Sequence, residues 1–137
     1  MKNVFSLLTP KHATSYINEN DSIKSVLEAF NNNRFSVVPI LNEKGEYKGT
    51  LSEGDLLRYI TSTSSFNMEG TENISINQIE RYREYRPLDS NATLLEVMAL
   101  SLEQNFVPII DDRGLYIGMI KRKEILSYLF EQKLEDK

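Results

Sequence analysis

One stretch of this chain occurs twice. Val-Pro-Ile-Leu-Asn-Glu-Lys-Gly-Glu-Tyr-Lys-Gly starts at Val38, and Val-Pro-Ile-Ile-Asp-Asp-Arg-Gly-Leu-Tyr-Ile-Gly starts at Val107. Pro39 and Pro108, Gly45 and Gly114, Tyr47 and Tyr116, and Gly49 and Gly118 each stand 69 residues apart. A duplication of this kind constrains the fold more than composition does, because each copy has to be one supersecondary unit. Two copies exclude a long solenoid and predict a pair related by a pseudo-twofold, with each half burying the other's apolar face. In a chain of 137 residues each half is of a size at which a lone core is marginal, which favours mutual packing.

Both halves spell the same order of elements. Ile23, Val26, Leu27 and Phe30 recur at helical spacing, with Asn20, Asp21 or Ser22 available as a cap. Phe35 to Leu41 is short and rich in β-branched residues, which predicts a strand covered on both faces. Asn42-Glu43-Lys44-Gly45 suits a type I turn. Tyr47 to Ser52 then predicts the returning strand, and Glu53 to Ile60 a helix with Leu56, Leu57 and Ile60 inward. In the second half Leu94, Leu95, Met98 and Leu102 mark a helix, Phe106 to Ile110 a strand, Asp111 to Gly114 the turn and Leu115 to Ile120 a strand. A last helix runs from about Lys121 past Phe130 with Ile125, Leu126 and Leu129 inward. Short extended stretches near Thr14–Ile17 and Tyr85–Leu88 precede the first helix of each half. The expected class is α/β, two β-α-β-β-α repeats: a first repeat with an N-terminal segment over 1–62, a linker over 63–76 rich in Ser, Thr, Asn and Gly, and a second repeat over 77–137.

Composition narrows the function. With no cysteine, disulfide, zinc-cysteine and iron–sulfur sites are excluded. A single histidine, His12, without a cysteine beside it is expected to be a surface residue, and no nucleophile–base pair is visible, so the chain is expected not to be an enzyme. The apolar run Val4 to Leu8 is too short for a signal peptide, no segment approaches a membrane span, and the cytoplasm is the expected location. A net charge of −4 disfavours non-specific binding to nucleic acid or anionic membrane.

Downstream of the first turn the sequence reads Gly49-Thr50-Leu51-Ser52-Glu53-Gly54-Asp55, followed by Leu-Leu-Arg. Together with the hydrophobic-Pro-hydrophobic strand and the Gly-containing turn, this resembles the CBS-domain (cystathionine β-synthase domain) pair, often called a Bateman module. Gly49, Ser52 and Asp55 match the Gly-x-x-Ser/Thr-x-x-Asp pattern in full. The second copy, Gly118-Met119-Ile120-Lys121-Arg122-Lys123-Glu124, departs from it at Lys121 and Glu124. The resemblance covers about residues 8–62 and 77–131. It implies a small stand-alone bacterial-type regulatory module that binds an adenosine-containing ligand in clefts between the repeats. Typical ligands are AMP, ADP, ATP, S-adenosylmethionine and cyclic di-AMP. Many members form disk-like homodimers, and the state of the module is read by a regulated protein.

The residues themselves allow two readings at each candidate position. Asp55 is acceptor-only and has two oxygens for the adjacent hydroxyls of a ribose. Ser52-x-x-Asp55 equally suits a capping box, with Ser52 able to serve both roles. Lys121, Arg122 and Lys123 put cations at the positive end of a helix, where an anion such as phosphate is favoured; the plain alternative is a solvated basic turn with Glu124 in partial compensation. In Arg81-Tyr82-Arg83-Glu84-Tyr85-Arg86, Arg83 and Tyr85 suit contact with phosphate and stacking on adenine, as does Tyr16 in the first half. The alternatives are packing between halves or a nucleic-acid surface. Pro39 and Pro108 cannot donate to a ladder and belong at an edge or bulge; the family places the neighbouring backbone, with Thr50, beside the base. Val38 and Val107 are expected to wall the adenine. Asp111-Asp112 sits at a turn, where such residues are common without any metal. The leading expectation is an adenine-nucleotide sensor with no catalytic cofactor. A dimerisation scaffold with degenerate clefts is the alternative.

Overall fold

The computed structural model describes residues 4–33, 35–63 and 67–135. Residues 64–66 of the expected linker and the outermost residues of both expected repeats lie outside these. Strands β1 (Thr9–Pro10) and β2 (Ile17–Asn18) precede helix α1 (Ile23–Asn33). Strands β3 (Val37–Leu41) and β4 (Tyr47–Ser52) and helix α2 (Glu53–Ser62) complete the first copy. Strand β5 (Leu88–Asp89), helix α3 (Leu94–Ser101), strands β6 (Phe106–Ile110) and β7 (Tyr116–Lys121) and helix α4 (Arg122–Glu135) form the second. The β-α-β-β-α unit occurs twice, as expected.

Two compact units result, and they do not follow the repeat boundaries. One holds residues 15–84, the other residues 1–14 with 85–137. In the first, β2, β3 and β4 form one sheet in that order, with β2 parallel and β4 antiparallel to β3. Its core joins Ile17, Ile23, Val26, Phe30, Ile40, Leu51 and Leu56 to Ile76 and Ile79, which come from beyond the expected linker. Met68–Asn73 forms a 3-10 helix and Thr71 is fully buried, so this stretch is structured against the first copy. In the second unit the sheet order is β1-β7-β6-β5. Thr9 and Pro10 pair with Met119 and Gly118, and Val4 and Leu7 enter the core with Val97, Leu100, Ile109, Ile120 and Ile125. The N-terminal segment expected with the first repeat thus belongs structurally to the second.

The turns repeat each other atom for atom. Asn42 Oδ1 accepts the N–H groups of Lys44 and Glu46, and Asp111 Oδ1 those of Arg113 and Leu115. The Leu115 N–H first, with the Arg113 N–H and guanidinium, holds the Asp111 carboxyl below the ordinary range against the opposing effect of burial. Among the described residues no cluster suited to a metal ion is present.

Three helix faces differ from expectation. On α2, Leu57 is exposed and Ile60 only half-buried, while Asp55 and Leu56 turn inward. On α3 Leu95 is 73% exposed and Val97 and Leu100 carry the core face, while Leu102, 84% exposed, falls just beyond the helix as its C-cap. On α4, Leu126 is exposed, Tyr128 takes the inward place beside Ile125, and Leu129 packs only partly. Helix α3 is apolar nearly all round, so its pattern does not fix a phase.

Both prolines lie on central strands, not at a sheet edge. Strand β2 pairs only with Ile40 and Leu41, and β5 only with Ile109 and Ile110. Pro39 and Pro108 come one residue earlier, where the central strand has a partner on one side, and the ladder shifts register just after each. The local edge and the irregularity remove the cost of a missing N–H.

A buried amide lengthens the parallel pairing where β5 is too short. Gln104 Oε1 accepts the Arg86 N–H at 2.8 Å, and Nε2 donates to the carbonyls of Arg86 and Phe106 at 3.1 and 3.2 Å. Replacing Gln104 with leucine leaves these backbone groups without partners. We expect a loss of about 2 kcal/mol in urea unfolding, against near-neutrality for the exposed neighbour Glu103→Ala.

Candidate functional site

Each copy turns from its last strand into its last helix in the same way. The first N–H of α2, from Glu53, donates to the Ser36 carbonyl at 3.0 Å, and the first N–H of α4, from Arg122, to the Asn105 carbonyl at 2.9 Å. Ser36 and Asn105 each immediately precede the central strand. One of the orphan donors of each helix start is therefore spent on the fold itself.

Beyond this shared bond the junctions diverge. In the first, Ser52 Oγ accepts the Asp55 N–H at 3.1 Å and Asp55 Oδ2 accepts the Ser52 N–H at 3.0 Å, a complete capping box. Asp55 is only 3% exposed. Its other oxygen, Oδ1, accepts from Arg58 Nη2 at 2.6 Å and from the Tyr82 N–H at 3.2 Å. The Arg58 guanidinium lies over the Tyr82 ring, 4.2 Å from its centroid. Arg81 pairs with Glu84 and reaches the Lys48 carbonyl. Gly49, at φ 116°, leaves no room for a Cβ because the Glu84 carboxylate occupies that space. Thr50 is buried opposite Pro39, and Arg83 and Tyr16 are exposed.

At the second junction Lys121 holds the place of Ser52 and offers no acceptor. Arg122 turns back: its Nε donates to the Ser101 carbonyl at 2.8 Å. Ser101 is the last residue of α3, so the cation disfavoured at the start of α4 meets the negative end of another helix. This explains Arg122 without an anion. Lys121, at the end of β7, and Glu124, in the first turn of α4, are half-buried, and Lys123 is exposed. A side chain at Gly118 would collide with the Thr9 carbonyl.

Several expected site residues serve packing. Val38 and Val107 are fully enclosed in the two cores, which removes their side chains as an apolar wall for a base. Tyr85 packs edge-on against Phe106, centroids 4.8 Å apart, and its hydroxyl accepts the Asn105 N–H. The first unit gathers Ser52 and Asp55 with two residues that the expectation left out, Arg58 and Tyr82. Arg58 carries a local signal, since it stands at i+3 from Asp55 on one helix. Tyr82 carries none, because its tie to Asp55 spans 27 residues. His12 is exposed.

Two such units, one bearing an intact Gly-x-x-Ser-x-x-Asp junction, define a tandem CBS protein. The chain belongs to the CBS domain family, which it matches over residues 8–62 and 82–131. It is 23% identical over 123 residues to a CBS domain-containing protein of Dictyostelium discoideum, covering 84% of this chain and 83% of that one. Among solved structures it is similar to CbpB in complex with c-di-AMP, with a TM-score of 0.88 and 24% identity over 98% of this chain and 88% of that chain. The Listeria monocytogenes CbpB in complex with c-di-AMP gives a TM-score of 0.83 at 12% identity, over 99% of this chain and 100% of that one. CBSX2 in complex with AMP gives 0.75 at 18%, over 97% and 99%. At these identities the likeness shows a common fold.

The unequal junctions make opposite predictions for one kind of exchange. Ser52→Ala removes a side-chain cap and should cost about 1 kcal/mol. Lys121→Ser would place a hydroxyl three residues before Glu124, building at α4 the box that α2 has, and should gain about 0.5–1 kcal/mol. Urea unfolding of both variants checks the signs.

Proposed function

We propose that this chain is a non-catalytic regulatory module that binds an adenine nucleotide, AMP, ADP, ATP or cyclic di-AMP, and passes the resulting state to a partner protein. It acts as a cytoplasmic homodimer. The observation that carries the reading is the intact junction from Gly49 to Asp55, whose buried carboxylate sits at a helix start in a family fold. An acceptor with two oxygens suits the paired hydroxyls of a ribose. The c-di-AMP and AMP complexes of structural neighbours support the ligand class. No described helix is long and apolar enough to cross a membrane. Exposed Leu126, Phe130 and Leu134, spaced four apart on α4, support the homodimer. The remaining assignments to the ligand, Tyr16, Pro39, Thr50, Arg83, Pro108, Lys121 and Glu124, belong to this proposal.

A second reading is a scaffold with degenerate clefts. It is favoured by the second junction, where Lys121 and Glu124 depart from the family pattern and Arg122 is engaged by Ser101. Thermal denaturation with AMP, ADP, ATP, cyclic di-AMP, S-adenosylmethionine and NAD separates the two. The sensor reading expects at least one ligand to stabilise the chain, by about 2.7 kcal/mol at a hundred times its Kd, and Asp55→Ala to lose that increment relative to its own baseline. No shift with any of the six supports the scaffold.

A further inference from the structure

We propose that the segment Arg81–Glu84 is an internal occupant of the first copy's ligand motif, which a nucleotide must displace to reach Asp55. The inference rests on the nucleotide-binding reading above and adds a regulatory step to it. Both oxygens of Asp55 are engaged: Oδ2 by its own helix start, Oδ1 by Arg58 and by the Tyr82 N–H. At 3% exposure Asp55 presents almost no accessible surface to which a ribose could add its bonds. One of the present donors has to leave.

The donor that can leave is Tyr82. The Ser52 bond belongs to the capping box of α2, whereas Tyr82 is held from outside by its stack on Arg58 and by the neighbouring Arg81–Glu84 pair. The segment offers the motif the same kinds of group that an adenine nucleotide carries. The Tyr82 ring is an aromatic face on a cation, its N–H is a donor to Asp55, and the Glu84 carboxylate is an anion seated against Gly49. All these contacts lie within the unit of residues 15–84. Release of the segment frees Arg58 and Arg81 for new anionic partners. It also moves the stretch of chain that leads directly into the second copy, which gives the bound state a structural readout.

Calorimetric titration of the intact chain and of its Glu84→Ala and Arg58→Ala variants with adenosine, AMP and cyclic di-AMP tests this. Amide exchange at Tyr82 is read in parallel. Adenosine is the decisive probe, because it carries the ribose and no charge. A gain on removing Glu84 then cannot come from relieved repulsion. Opening the segment raises the competent fraction, so adenosine should bind both variants about threefold or more tightly, and the Tyr82 amide should exchange faster while those of Ile40 and Leu51 stay as they were. Adenosine affinity that is unchanged or weaker in both variants, with the wild type binding, overturns this inference alone. So does an unchanged Tyr82 exchange rate. Failure of all three forms to bind any of the probes overturns the nucleotide-binding reading and this inference with it.

Discussion

A carboxylate enclosed at the foot of a helix has to have its acceptor positions filled, and the way Asp55 fills them organises the first half of this protein. One oxygen closes the start of α2. The other gathers Arg58 from the next turn and the backbone of Tyr82 from 27 residues away. Removing an ion from water costs several kcal/mol, which only a full set of charge-assisted bonds offsets. Asp55 therefore ties strand, helix and the approach to the second copy into one polar cluster beside an apolar core. The residue with the strongest claim to a ligand is also the one most occupied by the fold.

The duplication preserved the frame and let the chemistry drift. Pairing of the central strands, the turn hydrogen bonds at Asn42 and Asp111, and the donation from the first N–H of α2 and α4 recur 69 residues apart. Backbone groups carry the pairing and the helix-start bonds, and the turns need only the side-chain oxygen that Asn42 and Asp111 share. The cap of the last helix depends on a side chain and does not survive, whereas the first helix of each copy keeps a hydroxyl, Ser22 or Thr93, at its start. With Lys121 in place of a hydroxyl, α4 lacks the closure of α2, and Arg122 stabilises the neighbouring end of α3 instead. A cation that breaks one helix-dipole rule at α4 satisfies another at α3.

Much of this was legible in the sequence because it is local. The strand Phe106–Ile110 follows from its β-branched run, both turns from Asx–Gly punctuation, and the strand Tyr47–Ser52 from its place after the first turn. The capping box at Ser52 and Asp55 follows from spacing, and the family from the motif. Helix phases at Leu57, Leu95 and Leu126 were not legible: α3 is apolar nearly all round, and on α2 and α4 the adjacent pairs Leu56–Leu57 and Ile125–Leu126 offer two phases of which burial selects one. Long-range pairing was not legible either. Nothing near Thr9 indicates a partner at Met119, and nothing near Tyr82 indicates Asp55. For the same reason the contacts of Arg122 with Ser101 and of Tyr85 with Asn105 were not legible, since these partners lie elsewhere in the chain.

The central claim is that Asp55 holds the first unit together before any ligand arrives. Equilibrium urea unfolding of Asp55→Asn in the absence of nucleotide tests it most directly. The amide keeps one acceptor oxygen and turns an NH2 group toward donors, so the account expects a loss of about 2–3 kcal/mol. Unchanged or increased stability would contradict it, and would mark Asp55 as a residue kept for a ligand at the expense of the fold.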